Sequence, residues 1–197
     1  MAAWRTERNH SVELLPNIDR LLAEAGRAKS DLTAIFVDIG PGSYAGLRVG
    51  VSIAKALAHG LGVPLVGIGR LELDAYGIAA EAGGRRIVAV HRAGRGEVAW
   101  AAYTASGAAW REESAPRIGQ AALVRDFIAT GDIVTGDLDD ELTAALLERG
   151  AAVASANTHR VVALAALGER RLAADRTDDP RALVPLYLRE PAIGPQN

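Results

Sequence analysis

The sequence predicts an α/β protein built as two lobes. Three observations carry this. A short apolar segment at 34–38 runs through a glycine-rich turn into a helix and on to a second apolar segment at 63–67, the order of a βαβ unit with a right-handed crossover. From residue 86 the texture changes to three strands separated by tight turns. Beyond residue 119 helices and strands alternate again. At 197 residues, 49% apolar and 23% charged, the chain has the balance of a globular protein with a sizeable core.

Each element follows from local pattern. Leu14, Leu15, Ile18, Leu21 and Leu22 recur at helical spacing, so a helix is expected over 11–25, capped by Ser11 and ended by Gly26. Pro16 clashes with the Val12 carbonyl inside such a helix, which therefore either kinks there or begins near Leu15. Residues 34–38 are apolar on both alternations and read as a central parallel strand covered on both faces. A glycine-rich connection leads into a helix over 46–59, then a strand over 63–67. A third helix is expected over 71–82, ending at Gly83-Gly84. The texture changes at 86–91: a strand at 87–90 and another at 97–104 flank the turn 92–96, with a third near 108–113. Helices over 119–129 and 138–149 flank a short strand at 133–135. Val153 is a weak strand position, and the last long helix covers 161–174. Asp179-Pro180 breaks the chain before the apolar stretch 183–188, itself interrupted by Pro185. A meander does not continue a βαβ unit, so a domain boundary is expected near Gly83-Gly84, dividing residues 1–84 from 85–197. Meander, helix, strand, helix in the second part is the order of a ribonuclease-H-like unit.

Composition excludes several functions. A formal net charge of −2 is too low for binding nucleic acid by bulk electrostatics alone. The absence of cysteine excludes disulfides, thiolate zinc sites, iron–sulfur clusters and cysteine nucleophiles. No apolar run reaches the roughly 18 residues of a spanning helix, and no basic-then-apolar leader opens the chain, so a cytoplasmic protein without membrane contact is expected. Lysine occurs only at Lys29 and Lys55. The arginine and alanine bias reads as GC-rich coding.

The stretch Gly40-Pro41-Gly42-Ser43-Tyr44-Ala45-Gly46 is the most informative. It leaves the C-terminal end of a parallel strand and opens a helix whose free N–H groups and dipole favour an anion, so Gly40, Pro41, Gly42, Ser43 and Gly46 are phosphate-loop candidates. It matches neither the Walker loop, for want of a lysine, nor G-x-G-x-x-G, and the same glycines suit a tight strand-to-helix turn. In the following helix Arg48, Ser52, Lys55 and His59 form one polar stripe. Gly46, Gly50, Ala54 and Ala58 form a stripe of small residues that lets another helix approach closely, either the first helix or a second chain.

These residues resemble the bacterial TsaB (YeaZ) family. The resemblance rests on Asn9-His10-Ser11-Val12-Glu13-Leu14-Leu15-Pro16 and on the glycine string continued through Leu47-Arg48-Val49-Gly50. Ala54-Lys55-Ala56-Leu57-Ala58, Pro64, Arg95-Gly96-Glu97-Val98 and Pro185-Leu186-Tyr187-Leu188-Arg189 support it. The resemblance implies two ribonuclease-H-like lobes of the actin/Hsp70/sugar-kinase (ASKHA) type. It also implies a non-catalytic scaffold in making threonylcarbamoyladenosine, the modified adenosine beside the anticodon of ANN-decoding tRNAs. The implied partners are the catalytic paralogue TsaD and the ATPase TsaE, with a homodimer when alone, and tRNA met only through the complex. No cofactor is expected on this chain; ATP belongs to the complex. The implied contacts use the helices 11–25 and 46–59, making Leu14, Leu15, Ile18, Gly46, Gly50, Ala54 and Ala58 the interface candidates.

Three departures bear on this. The paralogue's metal site uses two histidines at i, i+4 on the first helix, whereas here His10 is followed by Leu14 and no metal site is expected. His91 stands where the family usually has aspartate. Family members also begin with a strand pair ahead of the segment at 2–8, so a strand near 3–6 and a first lobe incomplete at its N-terminus are expected, the natural start lying about 30 residues upstream. His10, His59, His91 and His159 read as surface or capping residues. Asp137, Asp139, Asp140 and Glu141 read as complements to a helix dipole. Arg85, Arg86, Arg92, Arg95, Arg170, Arg171 and Arg176 read as a solvated face, with contact to RNA phosphates as the sharper reading. The alternative function is an ATP- or phosphate-binding ASKHA-type enzyme using the loop 40–46; a third is an inactive paralogue that still dimerises.

Overall fold

Strand formers and glycine turns sort the chain into two sheets. The computed structural model describes residues 10–107, 109–155 and 160–188. In the first sheet β1 (Ile35–Asp38) pairs in parallel with β2 (Leu65–Ile68), Ile35 opposite Leu65 and Asp38 opposite Ile68. The helix α2 (Tyr44–Leu61) makes the crossover. It begins where Ser43 takes extended backbone and its hydroxyl accepts a hydrogen bond from the Gly46 N–H at 3.1 Å, a cap worth about 1 kcal/mol. The helix therefore starts two residues before the expected position. Val51, Ala54 and Ala58 are buried, the last two against Leu65. Beside α2 lies α1 (His10–Glu24), one helix with Pro16 inside it.

The other face of this sheet is covered from the far end of the sequence. In α7 (Arg160–Ala173), Ala163 and Leu167 pack with Val66, Ile68 and Leu73, and Phe36 lies against them. The approach is tightest at Gly168, where a methyl group would sit 2.4 Å from carbons of the Phe36 ring. After α7 the chain returns along the outer edge of β2. The Asp178 N–H donates to the Leu65 carbonyl at 2.8 Å. The Asp178 carboxylate accepts from the Gly67 N–H at 2.8 Å, and Arg171 donates to the Gly67 carbonyl at 2.7 Å. Lys55 then donates to the Leu183 carbonyl, and the Leu186 N–H to that of Ile39. The stretch 183–188 is neither helix nor strand; it is a strap across the first sheet.

The second sheet starts as the expected meander: β3 (Ile87–Gly94), β4 (Glu97–Ser106) and β5 (Ala109–Gln120), antiparallel. Parallel strands β6 (Ile133–Gly136) and β7 (Ala152–Val153) extend it from β3, giving the order β5–β4–β3–β6–β7. On one face α5 (Ala121–Phe127) and α6 (Asp140–Glu148) bury Val124, Leu142 and Leu146 against Val88, Val90 and Val134. On the other, α3 (Arg70–Gly77) and α4 (Ala79–Ala82) bury Leu71, Ala75, Ile78 and Ala82 against Ile87, Ala89 and Tyr103. Because α3 also packs on α7, it is shared by both sheets.

Three expectations need correction. The helix expected over 71–82 is two helices: after Gly77, a poor helix former, the backbone leaves helical geometry at Ile78 (φ −110°, ψ 6°), whose side chain enters the second core. The strand expected at 108–113 continues to Gln120 and trims the helix expected at 119–129. Its charges, its Pro116 and two register shifts against β4 obscure the alternation, as suits a sheet edge. The segment 34–38 is not covered like a central strand. Its four residues in β1 are half-buried and, among the described residues, pair with β2 alone, whereas all four of β2 are buried. The returning strap closes the outer edge of β2, and the other edge of β1 has no partner strand among the described residues. The strand expected near 3–6 lies outside the described residues.

Gly168→Ala is expected to destabilise the protein by about 1–3 kcal/mol in urea denaturation, because neither the α7 backbone nor the Phe36 ring can withdraw freely. Phe36→Leu in the same chain is expected to recover part of that loss.

Candidate functional site

The C-terminal ends of β1, β3 and β6 and the start of α3 converge on one group of charges. At the end of β1 the Asp38 carboxylate accepts the Gly40 N–H at 2.8 Å. Gly40 has φ +101°, and a Cβ there would lie 2.7 Å from Leu47 Cδ1, so the turn requires glycine. The Gly40 carbonyl accepts the Arg70 N–H at 2.6 Å, which ties the loop to the first residue of α3. The Arg70 guanidinium reaches Asp137, just past β6, at 3.2 Å, and stands 3.6 Å from Asp74. Asp74 is 1% exposed and accepts a hydrogen bond from Arg160 of α7 at 2.5 Å. His91 Nδ1 hydrogen-bonds Asp137.

Burial sets the protonation of this group. It raises the Asp38 carboxyl above its ordinary value, against the lowering effect of the Gly40 N–H and the Arg70 charge. It raises Asp74 likewise, opposed by Arg160. It lowers His91, helped by Arg70 and opposed by Asp137. Sequence reading missed this network. It treated Asp137 as one of four helix-dipole acids; Asp139 caps α6, accepting the Leu142 N–H at 2.9 Å, and Asp140 and Glu141 stand in its first turn, but Asp137 meets Arg70 and His91 instead. It also took His91 for a surface or capping residue. The available signal was that residues 38, 70, 91 and 137 all stand at or just past expected strand ends.

Beside this network lies an open cavity of about 950 Å³. The loop residues Pro41, Gly42, Ser43 and Tyr44 form one side, the turn with Arg92 and Arg95 another, and Leu186, Tyr187 and Leu188 of the strap a third. Of the phosphate-loop candidates, Gly40 and Pro41 are buried, Gly42 and Ser43 are exposed, and Gly46 is half-buried. The Gly46 N–H is already capped by Ser43 and the Gly40 N–H by Asp38.

Residues 5–122 match the family described as TsaD: tRNA N6-adenosine threonylcarbamoyltransferase. The chain belongs to this family. Within it, the chain is 36% identical over 96 residues to the tRNA threonylcarbamoyladenosine biosynthesis protein TsaB of Escherichia coli K12, a match spanning 49% of this chain and 42% of that protein. The alignment therefore covers less than half the length of that relative. An uncharacterized protein of Mycobacterium bovis is 34% identical over 197 residues, covering 95% of this chain and 79% of its own length. A Pseudomonas aeruginosa protein described as similar to peptidase YEAZ has the same fold, with a TM-score of 0.74 at 24% identity over 92% of this chain and 85% of that one. The resemblance to TsaB and YeaZ holds, and the chain shares the α/β fold of the Pseudomonas aeruginosa structures.

Seen as a TsaB-type chain, its small-residue stripe divides in two. Ala54 and Ala58 face the sheet. Gly50 opens outward, with nothing within 4 Å of where a Cβ would stand, and Gly46 sits at the helix start against Ser43. On α1, Leu14 and Ile18 are half-buried, whereas Leu15 and Val12 are 39% and 70% exposed. Among the described residues no three His, Cys, Asp or Glu come together to hold a metal ion, and no helix is long and apolar enough to cross a membrane.

The raised Asp38 carboxyl gives a signed pH dependence. A carboxyl that binds its proton more tightly folded than unfolded lowers stability as pH rises from its ordinary value near 3.8 through the raised one. Asp38→Asn keeps an oxygen for the Gly40 N–H and removes the buried charge. Its Tm is expected to exceed the unsubstituted protein's by a few degrees at pH 7, with the difference vanishing below pH 3.8, read by thermal denaturation across that range.

Proposed function

We propose that this chain is a non-catalytic scaffold for threonylcarbamoyladenosine modification of tRNA, pairing with a TsaD-type catalytic paralogue and joined by a TsaE-type ATPase. The observation that carries the reading is the outward face of α1 and α2. Val12 and Leu15 are exposed there, and Gly50 leaves room for a neighbouring helix in a chain of this family. Leu14, Leu15, Ile18, Gly46 and Gly50 form the contact, and Ala54 and Ala58 set α2 on its sheet. The same face makes a homodimer when the partner is absent. The two sheets are the cores of two ribonuclease-H-like lobes, 1–84 and 85–197, with α7 and the strap of the second returning to cover the first. The complex is cytoplasmic.

In this reading the loop 40–46 shapes the strand-to-helix turn and binds no nucleotide by itself. Its family is named for a transferase, but the departure at Leu14 from the paralogue's histidine pair supports a supporting role for this chain. The test is co-purification with a TsaD-type partner. The unsubstituted chain is expected to form a stable complex, and Gly50→Leu to weaken it at least tenfold while the chain still folds, since open space receives the side chain. No complex at micromolar concentrations overturns the reading. ATP binding that Gly42→Val abolishes, measured by calorimetry, would favour the enzyme alternative.

A further inference from the structure

We propose that the cavity between the glycine loop and the β3–β4 turn is an RNA contact: one base of a strand crossing its mouth lies on the Tyr44–Tyr187 pair, and flanking phosphates lie on Arg92 and Arg95. This rests on the reading of the chain as part of an RNA-modifying complex, and adds that the chain itself touches the RNA.

The first observation is the sign of the lining. Among the described residues, Arg92 and Arg95 line the cavity and no Asp or Glu does, in a chain whose net charge is −2. Four other arginines discussed above have acidic partners: Arg86 holds Asp132, Arg171 holds Glu72, and Arg70 and Arg160 share Asp74. Arg92 and Arg95 are exposed, and their side chains have no hydrogen bond or ion pair among the described residues. Two unpaired guanidinium groups on one rim make a local anion site that bulk charge does not reveal.

The second observation is aromatic. The rings of Tyr44 and Tyr187 lie 4.9 Å apart between centroids and remain 43% and 38% exposed. The Arg48 guanidinium sits 5.3 Å from the Tyr44 centroid and donates to its hydroxyl. An exposed tyrosine pair beside cations is a platform on which any base can stack.

A free nucleotide held in the loop fits less well. The Gly40 and Gly46 N–H groups already have acceptors, and the Asp38 carboxylate lies directly behind Gly40. The available cations stand on the open rim, where a strand passes, and not within the loop.

The experiment is fluorescence anisotropy with a labelled tRNA transcript over a salt series, using the chain alone and with the TsaD-type partner, and circular dichroism to confirm folding. Arg92→Ala with Arg95→Ala is expected to raise Kd roughly tenfold and to flatten the salt dependence by between one and two in slope. Tyr44→Ala with Tyr187→Ala is expected to raise Kd roughly tenfold with the slope unchanged; if that pair fails to fold, Tyr→Leu replaces it. Arg111→Ala, exposed on β5 and outside the cavity lining, is expected to leave Kd unchanged. Unaltered affinity in both cavity pairs overturns the proposal. So does displacement of the RNA by micromolar ATP, which marks a free-nucleotide site, or equal competition by polyglutamate, which marks an acidic peptide. Complex formation that survives both pairs separates this outcome from the scaffold reading. Loss of the complex in the unsubstituted chain overturns the scaffold reading and leaves the chain-alone RNA result standing.

Discussion

Asp74 is the residue around which the two sheets are assembled. Its carboxylate is almost wholly enclosed, with Arg160 of α7 on one side and Arg70 of its own helix on the other. Removing one partner of a buried ion pair costs on the order of 3–5 kcal/mol, a large fraction of the stability of a small protein. The helix α3 therefore settles into place only once α7 delivers Arg160. Since α3 also covers the second sheet, that single carboxylate makes the packing of one sheet conditional on the other. Arg70 extends the same constraint to the glycine loop through its backbone N–H and to His91 through Asp137.

This arrangement separates rigid parts from available ones. The charged network and both cores are occupied by partners within the chain. The outer face of α1 and α2 and the mouth of the cavity present exposed apolar, aromatic and cationic groups among the described residues. The long edge strand β5, with Arg111, Glu112, Glu113, Arg117 and Pro116, is composed to discourage pairing with other strands. The sheet edge is thus the surface least suited to a partner.

Much of the fold was legible because it is local. The βαβ unit, the meander and α7 follow from periodicity and glycine turns, and the family strings at 9–16 and 40–50 pointed to the relatives found. What stayed hidden depends on distant partners. Nothing near Arg160 in sequence reveals that it answers Asp74, 86 residues away. The stripe at 46, 50, 54 and 58 showed that helices approach closely, yet only packing separates Ala54 and Ala58, against the sheet, from Gly50, which faces outward. Pro16 does not delay the start of α1, which is helical from His10 onward. The arginines looked alike in sequence and differ only in whether a carboxylate stands opposite them.

The strap has a consequence for the order of events during synthesis. The outer edge of β2 receives its hydrogen bonds from Arg171 and Asp178, and one face of the first sheet is covered by α7. Strands β1 and β2 are thus finished by residues that follow them far along the chain. Until residues 160–188 have emerged, β2 offers an open edge and an uncovered apolar face, while the second sheet already carries α5 and α6 on one face. Of the two described sheets, the one made first closes last, and there the nascent chain is most vulnerable to mispairing or to capture by a chaperone.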